Sequence, residues 1–86
     1  ELRNALRQYQ EILADYPDNE YVQARALYSI GRTLDELKEY EEAKNYYRRV
    51  HDEYSDSTSP AVRDIVKRAD RLYYSVREAK KPRKRG

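Results

Sequence analysis

Apolar residues recur every three or four positions along four stretches of the chain, with short polar segments between them. The first stripe runs Leu2, Leu6, Tyr9, Leu13 and Tyr16, with Ala5 and Ile12 beside it. Pro17 disfavours helical geometry in the residue before it, so this helix is predicted to stop at Tyr16. Asp18 and Asn19 follow with turn and N-cap chemistry, since short polar side chains accept from free backbone N–H groups. A second helix from about Glu20 carries Leu27, Ile30, Leu34 and Leu37, with Gly31 on the same face. The third gathers Tyr40, Ala43, Tyr47, Val50 and Tyr54. Ser59 then Pro60 marks the fourth start, a cap residue followed by a proline where the missing N–H costs nothing. That helix presents Val62, Ile65, Ala69, Leu72 and Val76. Alternating strand patterns are absent from the sequence, and the expected class is all-α with four helices.

A shift of 38 residues lays the chain onto itself. Ala5 falls on Ala43, Tyr9 on Tyr47, Ile12 on Val50 and Tyr16 on Tyr54, and the same shift brings Asp18 onto Asp56. It also pairs Arg25 with Arg63, Leu27 with Ile65, Gly31 with Ala69 and Leu34 with Leu72. The matches fall on stripe positions and a turn. Repeats of 30–40 residues made of two antiparallel helices build α-solenoids, in which neighbouring units share one core.

The segment from Leu27 to Ser55 resembles a tetratricopeptide repeat. The family pattern of a large apolar residue followed by an apolar–small pair is met by Leu27, Ile30 and Gly31. Leu34, Tyr40, Ala43, Tyr47 and Val50 fill the remaining positions at the family spacing. Gly31 and Ala43 are small, so the paired helices can approach, and Tyr47 fills the space beside them. The first stretch resembles the second helix of a preceding repeat, and residues 60–79 resemble the first helix of a following one. The resemblance covers roughly residues 2–79, expected as one helical repeat domain of antiparallel helix-turn-helix units, with residues 80–86 as a separate basic, disordered tail. Three departures stand out: Lys38 replaces the usual glycine of the inter-helix turn, Ser55 replaces the closing proline, and the spacing is 38 residues where the family mostly uses 34. A glycine-free turn is expected to be looser or differently shaped.

Composition narrows the chemistry. The 86 residues lack cysteine, methionine, tryptophan and phenylalanine, hold one histidine and carry ten tyrosines. Disulfides, thiolate metal sites and cysteine nucleophiles are excluded, and neither a Gly-rich phosphate loop nor a nucleophile motif occurs. We therefore expect no catalytic site, no cofactor and no metal. His51 reads as an exposed helix residue, and Glu39, Glu41 and Glu42 as charges solvating the turn between the second and third helices. Tyr9, Tyr16, Tyr47 and Tyr54 read as core aromatics with hydroxyls at a solvent edge.

Charge is unevenly placed. The formal net charge is +2, yet residues 1–56 sum to −5 and residues 57–86 to +7. Five positive charges lie in KKPRKRG, residues 80–86. The basic balance thus belongs mainly to the tail, which without aromatic interleaving would bind nucleic acid or another acidic surface only non-specifically, in a salt-dependent way. Neither a signal peptide nor an apolar run long enough to span a bilayer is present in the sequence, and compartment is unspecified.

The resemblance implies a function. In tetratricopeptide proteins the first helix of each repeat lines a concave groove, on the face one residue beyond the large apolar positions. Here that face would carry Arg25, Tyr28, Ser29, Arg32 and Asp35 on the second helix, and Arg63, Val66, Lys67, Asp70 and Tyr73 on the fourth. Arg25, Tyr28, Arg32, Arg63, Lys67 and Tyr73 are the candidate peptide-binding residues. Guanidinium groups donate in a rigid fork that suits carboxylates, so the expected partner is a protein or peptide with acidic residues or a free C-terminal carboxylate. The competing reading of this face is a solvated surface with pairs such as Asp64 to Arg68. The helix order also fits a piece of a longer array or an engineered four-helix scaffold with no evolved ligand, and in either case Leu2, Leu6 and Leu13 on helix 1 are expected to favour self-association.

Overall fold

The computed structural model of the chain describes the backbone of residues 1–79 and side chains up to residue 76; the tail inferred for 80–86 lies outside the described residues. The four expected helices form: α1 (Leu2–Asp15), α2 (Glu20–Glu36), α3 (Tyr40–Tyr54) and α4 (Pro60–Ala79). Their starts follow the cap chemistry. Asn19 Oδ1 accepts from the Val22 N–H at 3.0 Å, and Ser59 Oγ accepts from the Val62 N–H at 3.4 Å. The Glu1 carboxylate caps α1 by accepting from Arg3 and Asn4, and these amides hold its pKa below the ordinary carboxylate value.

Antiparallel neighbours pack α1 on α2, α2 on α3 and α3 on α4, and α4 also touches α2. Helix α2 is therefore the centre of the domain, and its sequence is built for that position. Ala24, Leu27, Gly31 and Leu34 are buried on one side, where Gly31 meets the Tyr47 ring of α3. Ala26, Ile30 and Thr33 are buried as well, and Ala26 shares a cleft with Tyr9 and Ile12 of α1. The buried Thr33 hydroxyl donates to the Ser29 carbonyl at 2.9 Å, one turn back, so it carries no unmet bond. At the α1–α2 junction the Gln23 amide donates to the carbonyls of Leu13 at 2.9 Å and Tyr16 at 2.8 Å. Those carbonyls lie at the end of α1, where no further turn of helix can satisfy them.

The turn replacing glycine by Lys38 is not looser. Lys38 adopts φ 64, the left-handed conformation glycine would take, and the Glu39 N–H reaches the Leu34 carbonyl at 2.9 Å. The backbone thus keeps the glycine-type helix ending, with a side chain that disfavours it.

The tyrosines divide. Tyr47 is fully buried and its hydroxyl has no hydrogen-bond partner, so the expected solvent-edge placement fails at this position. Close approach of α2 and α3 over Gly31 leaves the ring nowhere to expose its tip. Tyr9 and Tyr54 are half-buried against the core, whereas Tyr16, expected on the core stripe, is 55% exposed just past the end of α1.

Helix α4 differs from α2 in one decisive respect. Its buried residues Val62, Ile65, Val66, Ala69 and Val76 form one stripe. The positions that match Ala26, Ile30 and Thr33 under the 38-residue shift are Asp64, Arg68 and Arg71, all charged and exposed. With a single apolar face, α4 turns that face into the α2–α3 core and fixes its rotation there.

Candidate functional site

Between α2 and α4 lies a concavity of about 540 Å³. Helix α2 contributes Tyr21, Arg25, Tyr28, Arg32 and, at its C-terminal end, Glu36, a row along one face at three- and four-residue spacing. Helix α4 contributes Ala61, Asp64, Ile65 and Arg68. Arg25 Nη1 donates to the Tyr21 hydroxyl at 2.9 Å, which orders both side chains along the rim. Neither Arg25 nor Arg32 forms an ion pair with a carboxylate among the described residues. Across the groove Arg68 Nε donates to Asp64 at 2.8 Å, the pairing one turn apart that the sequence suggested. That hydrogen bond is the main reason the Arg68 pKa lies above the ordinary guanidinium value, with the Tyr28 phenol of α2 adding to it. Two cations on α2 are thus unneutralised, while the cation on α4 is already matched.

Of the candidate residues, Arg25, Tyr28 and Arg32 come together on this surface. Arg63, Lys67 and Tyr73 do not line it. Arg63 and Lys67 are exposed on another face of α4, and Val66, placed on the groove by sequence, is buried in the core at 7% exposure. Tyr73 instead joins Arg48, His51 and Asp70 around a second depression between α3 and α4. The physical reason is the rotation of α4: each residue step is roughly 100°, and burying the single apolar stripe swings Arg63 and Lys67 away from α2. The charged residues at 64, 68 and 71 were the available signal, because they remove the second apolar face that α2 has.

His51 is exposed, as expected, but it has a partner: its Nδ1 lies 3.1 Å from the Asp70 carboxylate, tying α3 to α4. Glu39 pairs with Arg3 of α1, and Glu41 with Lys44 at 3.2 Å, so both hold cations in addition to solvating the turn. Tyr28 sits against the floor of the groove, its ring 6.3 Å from that of Tyr47 and tilted by 47°. Burial pushes the Tyr47 hydroxyl well above its ordinary pKa, with Asp35 and Tyr28 adding and Arg32 opposing. The phenol stays neutral and serves as packing.

Among the described residues, side chains of histidine, cysteine, aspartate and glutamate nowhere gather in a group of three that could hold a metal ion. No described helix is long and apolar enough to cross a membrane. The surface offers cations, phenol faces and shallow curvature.

The sequence model for the tetratricopeptide repeat matches residues 25–57, a span holding most of α2, its turn and all of α3. No curated relative and no solved structure matches the chain. Repeats of this family generally mediate protein–protein interaction and are typically non-catalytic. The packing of Gly31 against Tyr47, the glycine-type turn at Lys38 and the family match over the same residues agree: residues 25–57 are similar to a tetratricopeptide repeat.

Proposed function

We propose that the chain is a non-catalytic interaction module that binds an acidic peptide segment along α2, in the concavity between α2 and α4. The observation that carries this reading is the pair Arg25 and Arg32. They stand two helical turns apart, about 10 Å along the axis, exposed and without a carboxylate partner among the described residues, on either side of Tyr28. A peptide carboxylate engages a guanidinium fork in two parallel hydrogen bonds, and the tyrosine faces take apolar side chains between the charged contacts. Free cations on one wall and a matched Asp64–Arg68 pair on the other favour a ligand whose acidic side faces α2.

Fluorescence anisotropy with a labelled acidic peptide, a neutral counterpart and a basic one tests this. Binding is expected for the acidic peptide only, weakening as salt is raised. Reversing Arg25 and Arg32 to glutamate is expected to weaken it by about tenfold or more, and reversing Arg63 and Lys67 to leave it unchanged. Equal binding by the Arg25/Arg32 variant contradicts the reading. Binding by none of the peptides favours a scaffold without a ligand in this groove, and binding that disappears when residues 80–86 are removed assigns the contact to the tail.

A further inference from the structure

The charges along α2 specify more than an acidic ligand. Arg32 and Glu36 stand one helical turn apart, in the order that closes into ion pairs on α3 at Arg48–Asp52, 3.6 Å, and Arg49–Glu53, 3.2 Å. In the concavity the same order stays open. Arg32 and Glu36 both line it, both are exposed, and neither forms an ion pair among the described residues. The row from Arg25 through Tyr28 and Arg32 to Glu36 therefore reads cation, phenol, cation, anion, with its three charges free. On the facing wall Asp64 is held by Arg68 at 2.8 Å and does not compete for the same ligand.

Distance decides the form of a chain that meets those charges. Arg25 and Arg32 lie about 10.5 Å apart along the axis, and Glu36 about 6 Å further, at 1.5 Å per residue. A β-strand returns its side chains to one face every second residue, at about 7 or 13 Å, and misses the Arg25–Arg32 interval by about 3 Å either way. A polyproline II chain returns every third residue, at about 9.3 Å and again at about 18.6 Å, so its same-face side chains fall within about 2 Å of Arg25, Arg32 and Glu36. Side chains as long as arginine and lysine cover that difference. A docked helix would instead be held by an apolar stripe in an apolar groove. Here the exposed row carries guanidinium, phenol and carboxylate groups, and Ile65 of the facing wall is only 8% exposed. The rings of Tyr21 and Tyr28, on either side of Arg25, suit the extended form, because proline presets this conformation and docks in aromatic-lined grooves.

We propose that the groove reads a proline-containing polyproline II segment of the pattern acid-x-x-acid-x-x-base, with its acids at Arg25 and Arg32 and its base at Glu36. This rests on the acidic-peptide reading and adds the spacing, the charge order and the backbone form of the ligand. The order of charges along α2 is what is fixed, so the segment runs in whichever chain direction keeps its base at the Glu36 end.

Fluorescence anisotropy with labelled peptides of one composition tests this. The set holds Asp-Pro-Ala-Asp-Pro-Ala-Lys, its reversed sequence, and permutations with the aspartates adjacent or the lysine between them. An alanine-based helical peptide with the same charges at the spacing of α2 itself is the further arm. One of the two ordered peptides is expected to bind about tenfold tighter than the permutations. Glu36→Lys is expected to remove that advantage and to favour the same peptide with glutamate in place of lysine; Glu36 is exposed, so circular dichroism should be unchanged. Equal binding by ordered and permuted peptides, weakened alike by reversing Arg25 and Arg32 to glutamate, overturns the pattern and leaves the acidic-peptide reading standing. Tighter binding by the helical peptide overturns the extended form. Binding by none of them overturns both.

Discussion

A methyl group added at Gly31 would lie 2.5 Å from Cε1 of the Tyr47 ring and 2.7 Å from its Cδ1. The α2–α3 spacing is therefore set by one hydrogen atom on α2 facing a fully buried aromatic on α3. Gly31→Ala gains roughly 0.5–1 kcal/mol of helix propensity but forces the ring or the helix to move, which costs about 1–3 kcal/mol. Urea denaturation is expected to show a net loss of stability with an unchanged slope. Tyr47→Leu in the same chain should remove most of the Gly31→Ala penalty, because the obstructing ring is gone.

Tyr47 carries a buried hydroxyl with no partner. Tyr47→Phe deletes an unmet polar group without changing shape and is expected to stabilise the fold by about 1 kcal/mol. The pH dependence has a definite sign. Burial raises the folded-state pKa of Tyr47, so the unfolded chain releases this proton first, near pH 10. The stability Tyr47 contributes is full below about pH 10 and declines as pH rises further. Burial raises Tyr54 in the same direction, so the decline in Tyr47→Phe becomes shallower without vanishing. Thermal melts between pH 8 and 11 measure both effects.

Lys38 holds a left-handed conformation at the end of α2. Replacing it with glycine relieves a steric cost of about 1–2 kcal/mol, partly offset by the greater entropy of glycine in the unfolded chain. Lys38→Gly is expected to raise the melting temperature by a few degrees. A lower melting temperature would mean that the lysine side chain makes a compensating contact.

Gln23 closes the end of α1 through two carbonyls. Gln23→Ala leaves the Leu13 carbonyl to solvent, while the Tyr16 carbonyl keeps the Asn19 N–H at 3.3 Å, and is expected to cost about 1 kcal/mol. Because α2 is the one helix α1 packs against among the described residues, hydrogen exchange should show the loss as fraying of the last turn of α1, with α3 and α4 retaining protection.

Helix positions and the core were legible in the sequence because periodicity, prolines and cap residues all act locally. The Gly31–Tyr47 contact was legible too, since the family spacing places a small residue opposite an aromatic. The turn at Lys38 was not: left-handed geometry is normally signalled by glycine, and here a lysine adopts it with the local backbone bonds of a helix ending. The groove was half legible. Arg25, Tyr28 and Arg32 sit on a helix whose rotation is fixed by apolar residues on two sides, so their common face follows from spacing. Arg63, Lys67 and Tyr73 were assigned by extending the repeat to α4, and that extension fails where Asp64, Arg68 and Arg71 replace apolar positions. A helix with one apolar face takes its rotation from the core, not from the repeat.

The rotation of α4 and the role of the α2 cations meet in one measurement: the arginine Nε–Hε signals in a nitrogen-15 NMR titration with an acidic peptide. The account predicts saturable shifts at Arg25 and Arg32, a smaller change at Arg68 as its pairing with Asp64 adjusts, and none at Arg63. Shifts at Arg63 as large as those at Arg25, or none at Arg25 and Arg32 while the peptide binds, would contradict it.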